Sequence, residues 1–413
     1  MDLNWRRLDN SAKLFPIMSN KKFSSVFRIS AILYEEINED ILKIATENAV
    51  NKFISYKVKL KKGFFWYYLE YNSKDIIIEE ENNYPCKYID KNTNNEYLFK
   101  VTYYKNKINL DVFHSLTDGT NAMHFLKEIV YCYLEISHKD EIIKNSRADR
   151  IYDNNTEDDY IKNYNKHLKN RKKNKKAYIL RGKKLPLGAI AVTHVIMDLE
   201  KLRKLCKTKD CTITQYLTAI LIESIFYGNY EKSKRPIKIC IPVNLKKYFS
   251  SKTISNFFSY ITVEINKNDI KTFSTILEYV KKEFKEKLTE DGILKTMSAN
   301  VKLGTNIFIR LMPLFLKKFT VKLSYIEIRK YTTTTYSNIG KIGILPEYKK
   351  YIDDFFILIA PEKAEKIKCS SCSYENNMSF TFTSILQDKN IEKKFIEHLK
   401  KDGIFIKTEN NGV

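Results

Sequence analysis

The stretch Ile108-Asn109-Leu110-Asp111-Val112-Phe113-His114-Ser115-Leu116-Thr117-Asp118-Gly119 decides how this chain reads. Alternate side chains of a strand share a face. His114 is in phase with Ile108, Leu110 and Val112, the apolar set, which places an imidazole on the buried side of the sheet at the end of its strand. Burial disfavours the imidazolium and keeps the ring neutral near pH 7, as a general base requires. Asp118 stands where a helix begins and is positioned to cap it. Gly119 permits a close approach or an unusual dihedral at the turn. One reading is a satisfied core histidine beside a helix cap. The fixed order His-x-x-x-Asp-Gly between strand and helix favours the other, a catalytic base.

Working outward, Leu98 to Tyr104 and Ile108 to His114 pair as a hairpin through a turn at Lys105-Asn106-Lys107. The helix after Asp118 carries Ala122, Leu126, Ile129, Val130 and Tyr133 on one face, with Phe125 beside them. Upstream, residues 23–34 alternate as a strand, and Asn38 caps a helix with Ile41, Ala45, Ala49 and Phe53 every four residues. Ser55 to Leu60 and Phe64 to Tyr71 read as further strands.

Residues 139–188 are the most polar part. Between Lys162 and Lys184 lie eleven basic residues and no acidic one, the signature of a solvated crossover. The chain is accordingly divided into a lobe over 1–150, a basic crossover over 151–188 and a second lobe over 189–413. The second lobe reads as a strand at Ala189 to Asp198, then helices at Leu199 to Cys206 and Thr212 to Tyr227. Strands follow at Ile237 to Pro242 and Tyr260 to Ile265, and helices at Phe273 to Leu288 and Thr305 to Leu316. Strands at Thr332 to Ser337, Phe355 to Ala360 and Met378 to Ser384 precede a closing helix at Ile391 to Lys400. Mixed elements in both halves give an α/β protein with mixed sheets.

The composition supports a packed core. Of 413 residues 43% are hydrophobic, with 28 Tyr and 24 Phe, so the chain is not disordered by composition. The net charge of +23 is what an anionic membrane, a nucleic acid or a phosphorylated ligand would attract. Here Lys, Asn, Ile and Tyr are abundant throughout, so the charge is discounted as a general compositional bias. The reading modules of nucleic-acid binders are missing from the sequence. Cys86, Cys132, Cys206, Cys211, Cys240, Cys369 and Cys372 are scattered and odd in number, as free thiols in a reducing compartment would be. Cys369 and Cys372 have CxxC spacing, but no second pair completes a metal site. The opening residues are not a secretory signal, and no apolar run is long enough to span a membrane. The expectation is a cytoplasmic protein without nucleic acid, metal or membrane span. His124, His138, His167, His194 and His398 are read as structural.

His114-x-x-x-Asp118-Gly119 between strand and helix resembles the HxxxD acyltransferases of the chloramphenicol acetyltransferase fold, among them condensation domains and alcohol acetyltransferases. Supporting resemblances run over nearly the whole chain: Arg7 to Pro16, Thr212 to Leu217, Ile241 to Lys246 with Ser255-Asn256-Phe257, and Tyr336 to Gly340. The resemblance implies two lobes of mixed sheets flanked by helices, meeting around a tunnel with His114 near its middle. It implies acyl transfer from acyl-CoA, probable acetyl donors included, to a small alcohol or amine, with no bound cofactor and a carrier-protein donor as an alternative. It implies that Asp118 is structural and pairs with a second-lobe cation, here at Lys246, a lysine that keeps the charge without the bidentate fork of arginine. Ser337 and Asn338 are the candidate polar groups lining the site. The DFGWG motif of the plant branch is missing, and Phe113 replaces the first His of HHxxxDG proteins, which sets the chain apart from both groups. The alternatives are a non-catalytic partner- or carrier-binding module of the same fold, and a condensation-type enzyme.

Overall fold

The computed structural model describes residues 5–142, 154–168, 175–230 and 233–413, leaving aside the side chain of Leu303. In chain order the first lobe contains β1 (Trp5–Arg7), α1 (Phe15–Met18), β2 (Val26–Leu33), α2 (Glu39–Lys52), β3 (Val58–Lys62), β4 (Tyr67–Tyr71), β5 (Ile78–Glu80), β6 (Phe99–Tyr104), β7 (Lys107–Phe113) and α3 (Gly119–Ser137). A short α4 (Asp159–Lys162) precedes the second lobe. That lobe holds β8 (Ala191–Asp198), α5 (Leu199–Thr208), α6 (Ile213–Gly228), β9 (Ile237–Asn244), β10 (Phe258–Ile265), α7 (Phe273–Lys287), α8 (Glu290–Thr305), α9 (Ile307–Leu311), α10 (Leu314–Ile328) and β11 (Thr334–Lys341). The chain ends with β12 (Ile352–Ile359), β13 (Ile367–Tyr374), β14 (Asn377–Ser384), α11 (Asn390–Lys401) and β15 (Ile406–Asn410).

Three sheets result, ordered β1-β4-β3, β12-β2-β7-β6-β5 and β10-β9-β11-β13-β14-β8-β15. The fold is α/β, with two lobes of mixed sheets flanked by helices: β11 runs parallel to β9 and β13, while most other pairs are antiparallel. One core lies between the five-stranded sheet and α2 and α3, around Ile29, Leu110, Phe125 and Ile129. A second lies between the seven-stranded sheet and α6, α7 and α11, around Leu217, Ile239, Phe284 and Phe395. The strand β12 belongs by sequence to the stretch 189–413, yet it pairs with β2 and completes the first-lobe sheet.

Local sequence explains the elements that carry the site. β7 is central, flanked by β2 and β6, so both of its faces are covered and Ile108 to Phe113 are all buried. The turn into it is two residues, Lys105-Asn106, with Lys105 at φ 50°. Asp118 caps α3 by accepting from the Asn121 amide, and Asn38 caps α2 by accepting from Ile41. Thr212 and Gln215 form a reciprocal capping box at the start of α6, a helix apolar on most sides because it is buried on most sides.

Several expectations are corrected. A single helix over Thr305 to Leu316 does not form. Asn306 caps α9, and Pro313 lacks the amide a continuing helix needs, so α9 ends and α10 starts at that residue. The crossover is not solvated throughout: Tyr160, Ala177, Tyr178 and Leu180 are buried, and the Ala177 and Tyr178 amides bond to Lys330 and Pro236 carbonyls. Parts of the 151–188 stretch and of its basic run, together with residues 1–4 and the end of the 1–150 stretch, lie outside the described residues. Cys369 and Cys372 sit three apart on β13 and so point to opposite faces of the sheet.

Candidate functional site

β7 ends at Phe113, and His114 begins the turn that leads to α3. Its amide donates to the Ser25 carbonyl at 3.0 Å, which ties the turn to the start of β2. Ser25 is a non-glycine residue at φ 52°, a left-handed conformation that costs free energy and is often held at functional positions. Its buried hydroxyl has no hydrogen-bond partner among the described residues.

Around His114 the ring is held by three aromatic side chains. Phe15 stacks on it with centroids 4.7 Å apart and planes 12° apart, while Phe27 and Phe258 tilt against it at 4.9 and 5.5 Å. Phe15 and Phe27 come from the first lobe and Phe258 from the second, so the imidazole sits where the lobes meet.

Hydrogen bonds set the tautomer. The Asn256 amide nitrogen donates to Asp9 Oδ2 at 3.0 Å and to the His114 carbonyl at 3.0 Å. Both partners only accept, so this atom must be the NH2 group and the remaining side-chain atom must be the carbonyl oxygen. That oxygen lies 3.1 Å from His114 Nδ1. Nδ1 must therefore carry the proton and donate, which leaves the lone pair on Nε2. Burial pushes the pKa of His114 down to about 4, partly offset by the Asn256 bond and the nearby Asp9 charge. His114 as a residue is half-buried.

Asp9 organises this arrangement from the other side. It accepts from the Ala12 amide at 2.8 Å, the Ser11 hydroxyl at 3.1 Å and the Asn256 amide at 3.1 Å. Burial pushes its carboxyl up, against these bonds.

The motif is clasped by four successive residues of the second lobe. Thr117 Oγ1 donates to the Ile254 carbonyl at 2.6 Å, and Asn121 Nδ2 donates to the Ser255 carbonyl at 3.1 Å. Asn256 holds His114 as described. The Phe257 amide donates to Asp118 Oδ2 at 3.2 Å, while Asp118 Oδ1 accepts the Asn121 amide at 3.0 Å. Lys246 does not bond Asp118 directly. Its Nζ donates to Asn121 Oδ1 at 2.7 Å, and it acts on Asp118 through space: burial pushes that carboxyl up, and Lys246 and the backbone amides pull it back. A Cβ on Gly119 would stand 3.0 Å from Ile339 Cδ1, so this position serves a close approach between α3 and β11.

Thr335 and Ser337 share one face of β11 by alternation, and a bulge between Asn338 and Gly340 interrupts the alternation at Ile339. Asn338 points the other way and donates to Thr214 Oγ1 at the start of α6, 3.0 Å away. On the His114 side, Cys240, Thr335 and Lys368 lie in one row across β9, β11 and β13. Lys368, 3.4 Å from Glu362, belongs to a buried ionic group with Glu365, which accepts from Thr335 at 2.6 Å. Its positive charge contributes to holding the His114 pKa down. The sequence placed Asp9 and Asn256 in resembling segments without giving either a role, and it did not mark the Lys368 group.

Two cavities flank the site. One of about 1090 Å³ is lined by Arg6, Asp9, Lys13, Trp66, Thr305 and Arg310. Another of about 500 Å³ is lined by Pro16, Ser24, Tyr67, Leu98 and Phe113. His114 lines neither. Among the described residues no cluster of three His, Cys, Asp or Glu side chains is arranged to hold a metal, and all seven cysteines are free thiols. His138 and His398 have carboxylate partners, Glu35 and Glu223, and His194 stacks on Phe356.

Asn256→Leu, nearly isosteric but unable to accept from Nδ1, is expected to lower turnover by about 10- to 100-fold, the usual cost of losing a group that orients a functional imidazole. The decrease should fall on kcat rather than on KM. Steady-state kinetics check it; a change confined to KM would assign Asn256 to substrate contact instead.

No family model matches the sequence, and no curated protein sequence matches it. Solved structures do match in fold. The polyketide synthase associated protein 5 from Mycobacterium tuberculosis aligns over 96% of this chain and 97% of its own, with TM-score 0.61 and 11% identity. Trichothecene 15-O-acetyltransferase from Fusarium sporotrichioides aligns over 97% and 96%, with TM-score 0.60 and 9% identity. The starter condensation domain of rhizomide synthetase, solved with C8-CoA and Leu-SNAC, aligns over 96% and 94%, with TM-score 0.59 and 9% identity. This chain shares its two-lobed fold with these structures. At this identity the likeness is one of fold.

Proposed function

We propose that the protein is an acyltransferase that moves an acyl group from a CoA thioester to an alcohol or amine, with His114 Nε2 as general base. The observation that carries this reading is the Asn256–His114 hydrogen bond, which assigns the proton to Nδ1 and the lone pair to Nε2. The apolar cage keeps that lone pair free across the neutral range. Two structures sharing the fold are an O-acetyltransferase and a condensation domain in complex with C8-CoA, which supports the donor class.

In the proposed reaction, Nε2 removes the proton of the acceptor as its oxygen or nitrogen attacks the thioester carbonyl. The C–S bond then breaks, and the proton held on Nε2 passes to the leaving thiolate. Only hydrogen-bond donors aimed at the oxyanion would add further stabilisation, about 3 kcal/mol each. Ser337, next to Asn338 and so on the opposite face of β11 from α6, is the proposed polar group at the substrate, and Asn338 the group that fixes this strand against α6. Asp118 and Gly119 shape the turn. The donor is CoA-borne in this reading, and the site is proposed to act in the cytoplasm.

The test is release of free thiol from acetyl-CoA in mixed alcohols and amines. Release is expected to be nearly constant from neutral pH down to about 5 and to fall in acid with a midpoint near 4, because the base works only when unprotonated and its pKa is about 4. A midpoint near the ordinary histidine value would count against a caged base. No release with any acceptor would assign the fold to a binding module, and release only from a carrier-bound donor would assign it to condensation.

A further inference from the structure

The helices α9 and α10 expose an apolar surface of an unusual kind. Phe315, Phe319, Leu323 and Ile326 recur at helical spacing along one side of α10, and this side faces solvent. Phe308 and Leu311 extend it along α9. Phe308 is 80% exposed and Phe319 66%. The tip of the β3–β4 hairpin adds Phe64, whose carbonyl accepts from the Leu314 amide at 2.9 Å. The inner side of α10 is held by a polar anchor. Lys317 Nζ donates to the carbonyls of Phe65 and Arg310 at 2.9 and 3.1 Å and lies 3.8 Å from the Trp66 ring centroid. The usual polarity of a surface helix is inverted, with a cation tucked inward and aromatic rings outward. Contiguous exposed apolar surface on this scale marks an interaction site.

Charge selects the partner. From Val301 to Tyr331 there are seven Lys and Arg and one acidic residue, Glu327. On α10, Lys318 and Lys322 follow one edge of the apolar stripe, as helical spacing dictates. An apolar stripe edged by cations matches a bilayer with anionic headgroups: rings enter the acyl boundary while lysines meet the phosphates. No helix among the described residues is long and apolar enough to cross a membrane, so the association lies on the surface.

We propose that α9 and α10 dock the protein on an anionic lipid bilayer. The 1090 Å³ cavity, lined by Thr305 and Arg310 from this same region and by Asp9 beside the His114 network, then opens next to the membrane. The proposal stands on exposure and charge and does not depend on the chemistry at His114.

Vesicle flotation tests it. The wild-type chain is expected to float with vesicles containing about a third phosphatidylserine and far less with phosphatidylcholine alone, and salt should weaken the binding. The two tryptophans, Trp5 and Trp66, both line the adjoining cavity, and their emission should shift to the blue on binding. Lys318→Glu with Lys322→Glu should weaken partition into anionic vesicles on the order of a hundred-fold. Phe315→Ser with Phe319→Ser and Ile326→Ser should abolish flotation while the melting transition and thiol release in lipid-free buffer stay unchanged. Wild-type chain that floats with neither vesicle overturns the proposal, as does a triple serine variant that floats normally. A lipid-free dimer that the triple serine variant converts to monomer also overturns it, in favour of a second copy of this chain.

Discussion

His114→Ala is expected to lower acyl transfer by about 10²- to 10⁴-fold, the range that a positioned general base contributes, while the protein stays folded. The folding half of the expectation follows from the backbone. The His114 amide still reaches the Ser25 carbonyl, and its own carbonyl still accepts from Asn256, because an alanine keeps both groups. Asn256 also keeps its two bonds to Asp9. What is lost is the ring between Phe15, Phe27 and Phe258, and with it the Nε2 lone pair. Single-turnover thiol release measures the chemistry, and circular dichroism with a thermal melt measures the fold. Wild-type turnover in a folded variant would remove His114 from the mechanism. Loss of both activity and fold would show that the ring is a packing element, the reading the sequence left open. His114→Gln separates these cases, since it fills part of the space and cannot act as a base.

The fold was legible where the determining signals are local. The hairpin β6–β7, the cap at Asp118 and the face of α3 follow from alternation, a two-residue turn and helical spacing within forty residues of sequence. β13 was missed because Ile367-Lys368-Cys369-Ser370-Ser371-Cys372-Ser373-Tyr374 lacks aliphatic alternation. It is buried by its neighbours, β11 and β14, rather than by its own hydrophobicity. β1, β5 and β15 are short or edge strands with little pattern to detect. The helix α8 was missed although its buried Ile293, Met297 and Val301 recur every four residues, and the break at Asn306 and Pro313 shifted the reading into the next helix.

The site divides in the same way. His114, Asp118 and Gly119 are adjacent in sequence and form a recognisable order. The partner that sets the tautomer is 142 positions away, and Asp9 is 247 positions from Asn256. No periodicity links such residues, because they meet only when the lobes close on each other. The lobes also exchange a strand, β12, which no cut of the chain into consecutive domains can anticipate. The solved structures that share this fold include an O-acetyltransferase and a condensation domain at 9% identity. Such a likeness fixes the scaffold, and the chemistry has to be argued from the site itself.

Asp118→Asn is expected to destabilise the protein by about 1–3 kcal/mol while leaving turnover within about tenfold of wild type. The argument rests on counting donors. Asp118 Oδ1 accepts the Asn121 amide and Oδ2 accepts the Phe257 amide. Asparagine has one oxygen and one NH2 group, so one of these two buried amides must then face another donor and lose its partner. Lys246, drawn toward the Asp118 charge, loses that compensation as well. One affected amide belongs to α3 and the other to the segment that clasps the motif from the second lobe, so the damage falls on the junction of the lobes. His114 keeps its own partners through Asn256, which is why the chemistry should survive. Denaturant unfolding and kinetics on this one variant decide between roles: a lower midpoint with near-normal turnover places Asp118 in the framework. An unchanged midpoint with lost turnover would instead put the carboxylate in the reaction, and the clasp described here would have to be reassigned from support to catalysis.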